Sequence, residues 1–191
     1  MTQKVFSAMR REHQQVLLDL AKKSILHGLQ TGTPLAIDLS GLPPELQALR
    51  ATFVTLHKRG ELRGCIGVLK AVRPLAEDIA ENAFAAAFRD HRFPPVTADE
   101  FDQLVIHLSI LTPPEPIVFS SEADLLAQIR SGVDGLIIEE GARRGTFLPS
   151  VWETLPNPKQ FLRHLKQKAG LPADYWSETL RVYRYQAEGI G

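Results

Sequence analysis

The sequence predicts an α+β fold with a largely antiparallel sheet flanked by helices. Three observations predict it: a pair of β-rich runs joined by the short "KRGE" turn, a second turn at "EEGARRGT" after an apolar run, and amphipathic helical stripes that do not alternate regularly with single strands. Of the 191 residues 44% are hydrophobic and 23% charged, the profile of a chain that fills a core, which excludes global disorder, collagen and coiled-coil rods. One domain over residues 1–191 is expected at this length.

From about Ser7 to Leu29, apolar residues recur at spacings of three and four and Gly32 follows as a stop, so the first element is an amphipathic helix. Residues 31–44 mix Gly and Pro with a short apolar string and read as an extended connector. Ala51 to His57 and Leu62 to Leu69 form a hairpin, with Gly60 free to take the positive φ of its turn. Pro74 opens a helix whose stripe, Leu75, Ile79, Ala83, Ala86 and Ala87, ends near Asp90; so many alanines imply that something packs close to it. Two prolines make residues 91–100 a stiff loop, and Leu104 to Leu111 is a strand closed by "TPPEP". Ser121 and Asp124 have the spacing of a capping box, opening a helix through Arg130, and a strand follows from Leu136 to Glu139. Asn157 as cap, Pro158 in the first turn and Gly170 as stop bound the last helix, and Leu180 to Tyr185 alternates as a final strand.

Charge balances at 22 basic against 22 acidic residues, so no net field attracts nucleic acid or an anionic membrane. Lys159, Arg163 and Lys166 form a basic stripe on the last helix, expected to be a solvated surface, so nucleic-acid binding is disfavoured. No apolar run approaches the length of a membrane span. A lone cysteine, Cys65, and an N-terminus without the apolar stretch of a secretory signal set the expectation of a reducing, cytoplasmic setting.

The chemistry-bearing segment is "LRGCIG", Leu62 to Gly67. Strand alternation puts Arg63, Cys65 and Gly67 on one face, where the guanidinium favours the thiolate while Gly64 and Gly67 leave the sulfur uncovered for a ligand. The competing reading is that Cys65 is a packed residue and the glycines admit the Ala-rich helix. A nucleophile also needs a base, for which His57, His91 and His107 are candidates; His57 is the nearest in the hairpin, whereas His107, among apolar neighbours, reads as a core histidine. In "RDHRFPPVTADE", Arg89, Asp90, His91, Arg92 and Glu100 concentrate charge in a proline-stiffened loop that suits a ligand wall, or else Asp90 and Arg92 pair to fix the turn. No CxxC, HExxH or HxH spacing supports a metal, and no phosphate-binding glycine loop or GxSxG elbow occurs, so no metal or cofactor is implied.

Four blocks in order, "LRGCIG", "FAAAFRDHRFPPVTADE", "FLPSVW" and "FLRHLKQKAGL", resemble the AMMECR-type domain family, which includes the protein A component of AmmeMemoRadiSam systems. In the third block that family commonly has Gln where this chain has Ser150. The resemblance implies a larger and a smaller lobe, an antiparallel sheet and the signature strand beside a cleft, and it supplies no reaction. It also implies a Memo-like protein and a radical SAM protein as partners. Two roles follow as expectations. In one, an enzyme or ligand-binding subunit, Cys65 is nucleophile or ligand thiol, Arg63 and Arg92 orient an anionic group of a small molecule, Asp90 or Glu100 handles protons, and Gly64, Gly67 and His57 line the site. In the other, a protein-interaction adaptor, Cys65 is structural.

Overall fold

The computed structural model describes residues 8–191. The expected helix start at Ser7 therefore lies outside the described residues. Helix α1 runs Arg11–Thr31 and ends where the periodicity ends, because Gly32 takes the left-handed φ of 73° and its N–H returns to the Gly28 carbonyl. A short helix α2, Pro44–Gln47, interrupts the connector that the sequence predicts to be extended; two successive prolines fix its entry and its first turn.

Strands β1, Ala51–Lys58, and β2, Glu61–Gly67, form the expected hairpin, and its turn needs positive φ at both Arg59 (54°) and Gly60 (82°). Helix α3, Leu75–Phe88, follows, and the charged loop after it carries a 3₁₀ turn, Ala98–Gln103, capped reciprocally by Thr97 and Glu100. Strand β3, Leu104–Leu111, has the predicted bounds. With a late strand β8, Ala187–Ile190, these make a four-stranded antiparallel sheet in the order β2-β1-β3-β8.

Helices α1 and α3 pack against one face of this sheet. Val54, Leu56, Ile106, Leu108 and Ile110 point into a core shared with Leu17, Ala21 and Ile25 of α1 and Ile79, Ala83, Ala86 and Ala87 of α3. The alanines and glycines let backbones approach: a Cβ on Gly28 would lie 2.5 Å from Phe88, and one on Gly64 would overlap the Ala86 carbonyl. A buried polar network pins α3 to β1, since Thr52 donates to Asp78 at 2.7 Å and Asn82 donates to Thr52 and Asp78.

The chain divides into two compact units: residues up to Leu111 with Glu188–Gly191, and Thr112–Ala187. The second has its own sheet, ordered β4-β7-β5-β6, from β4 (Glu115–Pro116), β5 (Gly135–Glu140), β6 (Arg143–Phe147) and β7 (Arg181–Tyr185). The largely antiparallel sheet of the sequence reading is thus two antiparallel sheets. The two-residue β4, unread in the sequence, is an edge strand that tolerates Pro116. Helices α4 (Glu122–Gln128) and α5 (Pro158–Lys168) are capped by Ser121 and Asn157 as predicted. Their apolar side chains join Trp152, which stacks 3.7 Å from Phe161, in a second core. Lys166 corrects the basic stripe: it is fully buried, with its Nζ donating to Glu122 at 3.3 Å, while Lys159 and Arg163 stay exposed. No helix among the described residues is long and apolar enough to cross a membrane.

Candidate functional site

The sheet face turned away from the helices carries the chemistry. Because Val54 and Leu56 point inward, Thr55 and His57 point outward, and the same parity in β3 sends Val105, His107 and Ser109 outward. Pairing registers align Cys65 with Thr55 and Thr55 with His107, so cysteine, threonine and histidine form one row across three strands. The Cys65 Sγ and Thr55 Oγ1 share a hydrogen bond of 3.1 Å, and Cys65 is half-buried. His57 lies beside the row, its ring 5.3 Å from that of His107 and edge-on to it. His57 Nδ1 is buried and has no hydrogen-bond partner among the described residues. His107, read as a core histidine, is on the opposite face; period two with Ile106, Leu108 and Ile110 inward is the signal that finds it.

Strand β2 is an edge, so the backbone of Cys65 needs partners on its open side. The loop after α3 supplies them. Asp90 accepts the Cys65 N–H at 2.9 Å, and Arg92 Nη2 donates to the Cys65 carbonyl at 3.3 Å. Asp90 and Arg92 also pair with each other, at 3.0 Å from Nε and 2.7 Å from Nη2. Asp90 and Arg92 thus pair as the turn-fixing reading expects, and the same two side chains also clamp the strand. The Arg92 hydrogen bond, with help from the Cys65 and Arg92 backbone N–H groups and against the cost of burial, holds the Asp90 carboxyl well below the usual range; Asp90 in turn raises Arg92. His91 is exposed in the same loop, and Arg89 pairs with Glu81 at 3.1 Å.

Arg63 departs from the expected alternation. The β1–β2 register slips between Leu56 and His57, pairing His57 with Leu62 and Leu56 with Gly64, so Arg63 is the extra residue of a β-bulge. Its guanidinium goes to Glu100, with Nε at 3.0 Å and Nη2 at 2.9 Å, joined by Lys58 Nζ at 2.8 Å. The arginine beside the thiol row is therefore Arg92, and Arg63 serves a separate charge cluster. Arg63 first, then Lys58, hold Glu100 far below the usual carboxylate range against the cost of its burial. Carboxylates held so low, Asp90 and Glu100 alike, are poor proton acceptors near neutral pH.

The space beside both glycines is filled. Gly64 gives its space to the Ala86 backbone, as the packing reading expects, whereas Gly67 gives its space to the Phe53 ring and the Thr52 carbonyl of β1 and not to the helix. Among the described residues no group of three His, Cys, Asp or Glu side chains converges to hold a metal. Lys58, Thr55 and Phe93 escaped the sequence reading, Phe93 with no signal beyond its place in the charged loop.

The AMMECR1 family model matches residues 18–190. A protein of Methanothermobacter thermautotrophicus is 40% identical over 189 residues, covering 96% of each chain, and one of Thermotoga maritima is 45% identical over 150 residues, covering 77% of this chain and 81% of its own. The fold is similar to the crystal structure of uncharacterized protein PH0010 from Pyrococcus horikoshii, with TM-score 0.86 and 38% identity over 95% of this chain and 92% of that one. Signature blocks, two-sheet architecture and relatives agree, and the chain belongs to the AMMECR1 family.

Proposed function

We propose that this AMMECR1-family protein works through Cys65, as a cysteine-dependent enzyme or ligand-binding subunit whose site is the outer face of the first sheet. The observation that carries the reading is the double clamp on the Cys65 backbone: Asp90 and Arg92 fix both its N–H and its carbonyl, so the thiol is presented in one orientation beside Thr55. Preorganisation of this kind is what a reacting or ligand-contacting side chain requires. In this scheme Asp90 and Arg92 are positioning residues. His57 and His107 are the bases within the same face, and His57 has an unused ring nitrogen. A Memo-like protein and a radical SAM protein remain the partners suggested by the resemblance, in the cytoplasm.

A second reading, an interaction adaptor, draws on Leu62 and Val105. Both are exposed, and they flank His57 in one register row, an apolar strip suited to a protein contact.

Alkylation of the native protein, followed by intact mass across pH, separates the two, because every adduct reports Cys65. The first reading expects modification of the folded protein with an apparent pKa below about 8.5. Resistance to alkylation until the chain unfolds overturns it and leaves the adaptor.

A further inference from the structure

Apart from the thiol face, helix α5 carries a surface whose charge its own fold does not balance. The segment Pro158–Lys168 contains no acidic residue. Phe161, Leu162, Leu165 and Lys166 are buried, and Lys159, Gln160, Arg163, His164, Gln167 and Lys168 make the exposed half of the helix. Lys159, Arg163 and Gln167 form one row at a spacing of four, and Gln160, His164 and Lys168 form the next. Arg143 of β6 extends the patch past the helix end, where its guanidinium donates to the Gly170 carbonyl, while Lys168 Nζ lies 5.0 Å from the ring centroid of Phe147, also of β6. The carboxylates that form ion pairs in the second unit go elsewhere, to Arg130, Arg144, Lys166, Arg181 and Arg184. Lys159, Arg163, Lys168 and Arg143 have no carboxylate partner among the described residues.

This arrangement costs the helix stability. Lys159 stands in the first turn, where the helix dipole disfavours a cation, and Arg163 one turn on is a like charge. The chain has as many acidic residues as basic ones, 22 of each, so the concentration is local and does not follow from composition. A local cost kept on an exposed face, where packing does not require it, points to binding.

We infer that the outer face of α5, continued by Arg143, docks an acidic segment of a partner protein, whose Asp and Glu side chains supply the carboxylates that Lys159, Arg163 and Lys168 lack. An acidic protein segment fits better than nucleic acid on three counts. The net charge is zero, so no field gathers a long polyanion. From Lys159 to Lys168 the cations span only about 14 Å of helix axis. The exposed half offers no Phe, Tyr or Trp on which a base could stack. Gln160 and Gln167, set among the cations, have amides to donate to carboxylates and accept from the segment's backbone N–H groups. The surface lies wholly in the second unit and is independent of the Cys65 reading.

The test titrates the full chain into fluorescein-labelled octaglutamate and, separately, labelled octathymidylate, with anisotropy as the readout of affinity and amide NMR shifts locating the contact. Octaglutamate is expected to bind saturably and more tightly than octathymidylate, with shifts centred on Lys159, Arg163, Lys168 and Arg143. Arg163→Glu and Lys159→Glu each weaken it about fivefold. Lys159→Glu has a second readout: an acid in the first turn suits the dipole and pairs with Arg163, so this variant melts about 2 °C higher while binding less well. Reversing the exposed Lys22 and Lys23 of α1 together, by Lys22→Glu and Lys23→Glu, changes the net charge more and leaves binding unchanged. The inference is overturned if octaglutamate does not saturate, if the shifts centre elsewhere, or if the reversals on α5 weaken binding no more than that on α1. Tighter binding of octathymidylate to the same face overturns it too, and makes the patch a nucleic-acid surface.

Discussion

Buried aspartates held by arginine occur in both units, and two of them, Asp134 in the second and Asp90 in the first, do different work. In the second unit, Asp134 is fully buried, accepts from the Arg130 backbone N–H and guanidinium, and lies 3.4 Å from Arg184 of β7. Its own carbonyl accepts the Trp152 indole N–H at 2.7 Å, so every contact joins pieces of one core. In the first unit, Asp90 makes a similar arginine pair, but its arginine is 57% exposed, and beyond the Arg92 N–H it accepts the backbone N–H of the lone cysteine on an edge strand. The chemistry of the pair is the same. What differs is the thing held: a core in one case, the orientation of a thiol in the other.

This comparison makes its largest prediction at Asp134. Asp134→Ala strands Arg130 and Arg184 in the second unit and should cost about 3 kcal/mol or more of stability in denaturant unfolding, with Cys65 alkylation by the native fraction unchanged. Gly64→Ala should cost about 2–3 kcal/mol, since the new methyl meets a helix carbonyl that has no flexible end to move. Asp90→Asn should cost less, about 1–2 kcal/mol, yet change the rate of Cys65 alkylation, because it loosens the clamp more than the core. A loss equal to that of Asp134→Ala with alkylation unaltered would erase the distinction between the two aspartates. Cys65→Ser should be the mildest, within about 1 kcal/mol of the parent, as serine can keep the bond to Thr55.

Acid sharpens the contrast further. Asp90 and Glu100 are held below their ordinary values of 3.8 and 4.5, so their ion pairs contribute stability that is complete above those values and is lost as pH falls below them. Asp78, raised by burial, works in the opposite direction and gains as it protonates. The first unit should therefore loosen below about pH 4, and Asp90→Asn should flatten that acid limb of the unfolding curve. An unchanged limb in the variant would mean that the Asp90 pair contributes nothing to it.

Much of the fold was legible because its signals are local. The Gly32, Asn157 and Gly170 helix boundaries and the Leu104–Leu111 strand follow from caps and periodicity that act over a few residues. The site was legible in part. "LRGCIG" marked the strand and the charged loop marked its clamp, but alternation put Arg63 beside Cys65, and the bulge that sends Arg63 to Glu100 instead left no trace in residue type. His107 departs from the core placement its apolar neighbours suggest because, in a strand, neighbours along the chain occupy the opposite face.

What the sequence determined by itself, then, was the longer elements, without α2, β4 and β8, together with the helix caps, the hairpin turn at Gly60 and the family, all of which rest on short-range sterics or on motif identity. Only the tertiary structure decided that Gly64 and Gly67 are filled by Ala86 and Phe53, that Lys166 is interior, that two sheets form rather than one, and that Arg92 stands at Cys65 while Arg63 does not. These depend on strand register and on contacts between residues far apart in the chain. A slip of a single residue at a bulge redirects a side chain without changing the local pattern that a sequence displays.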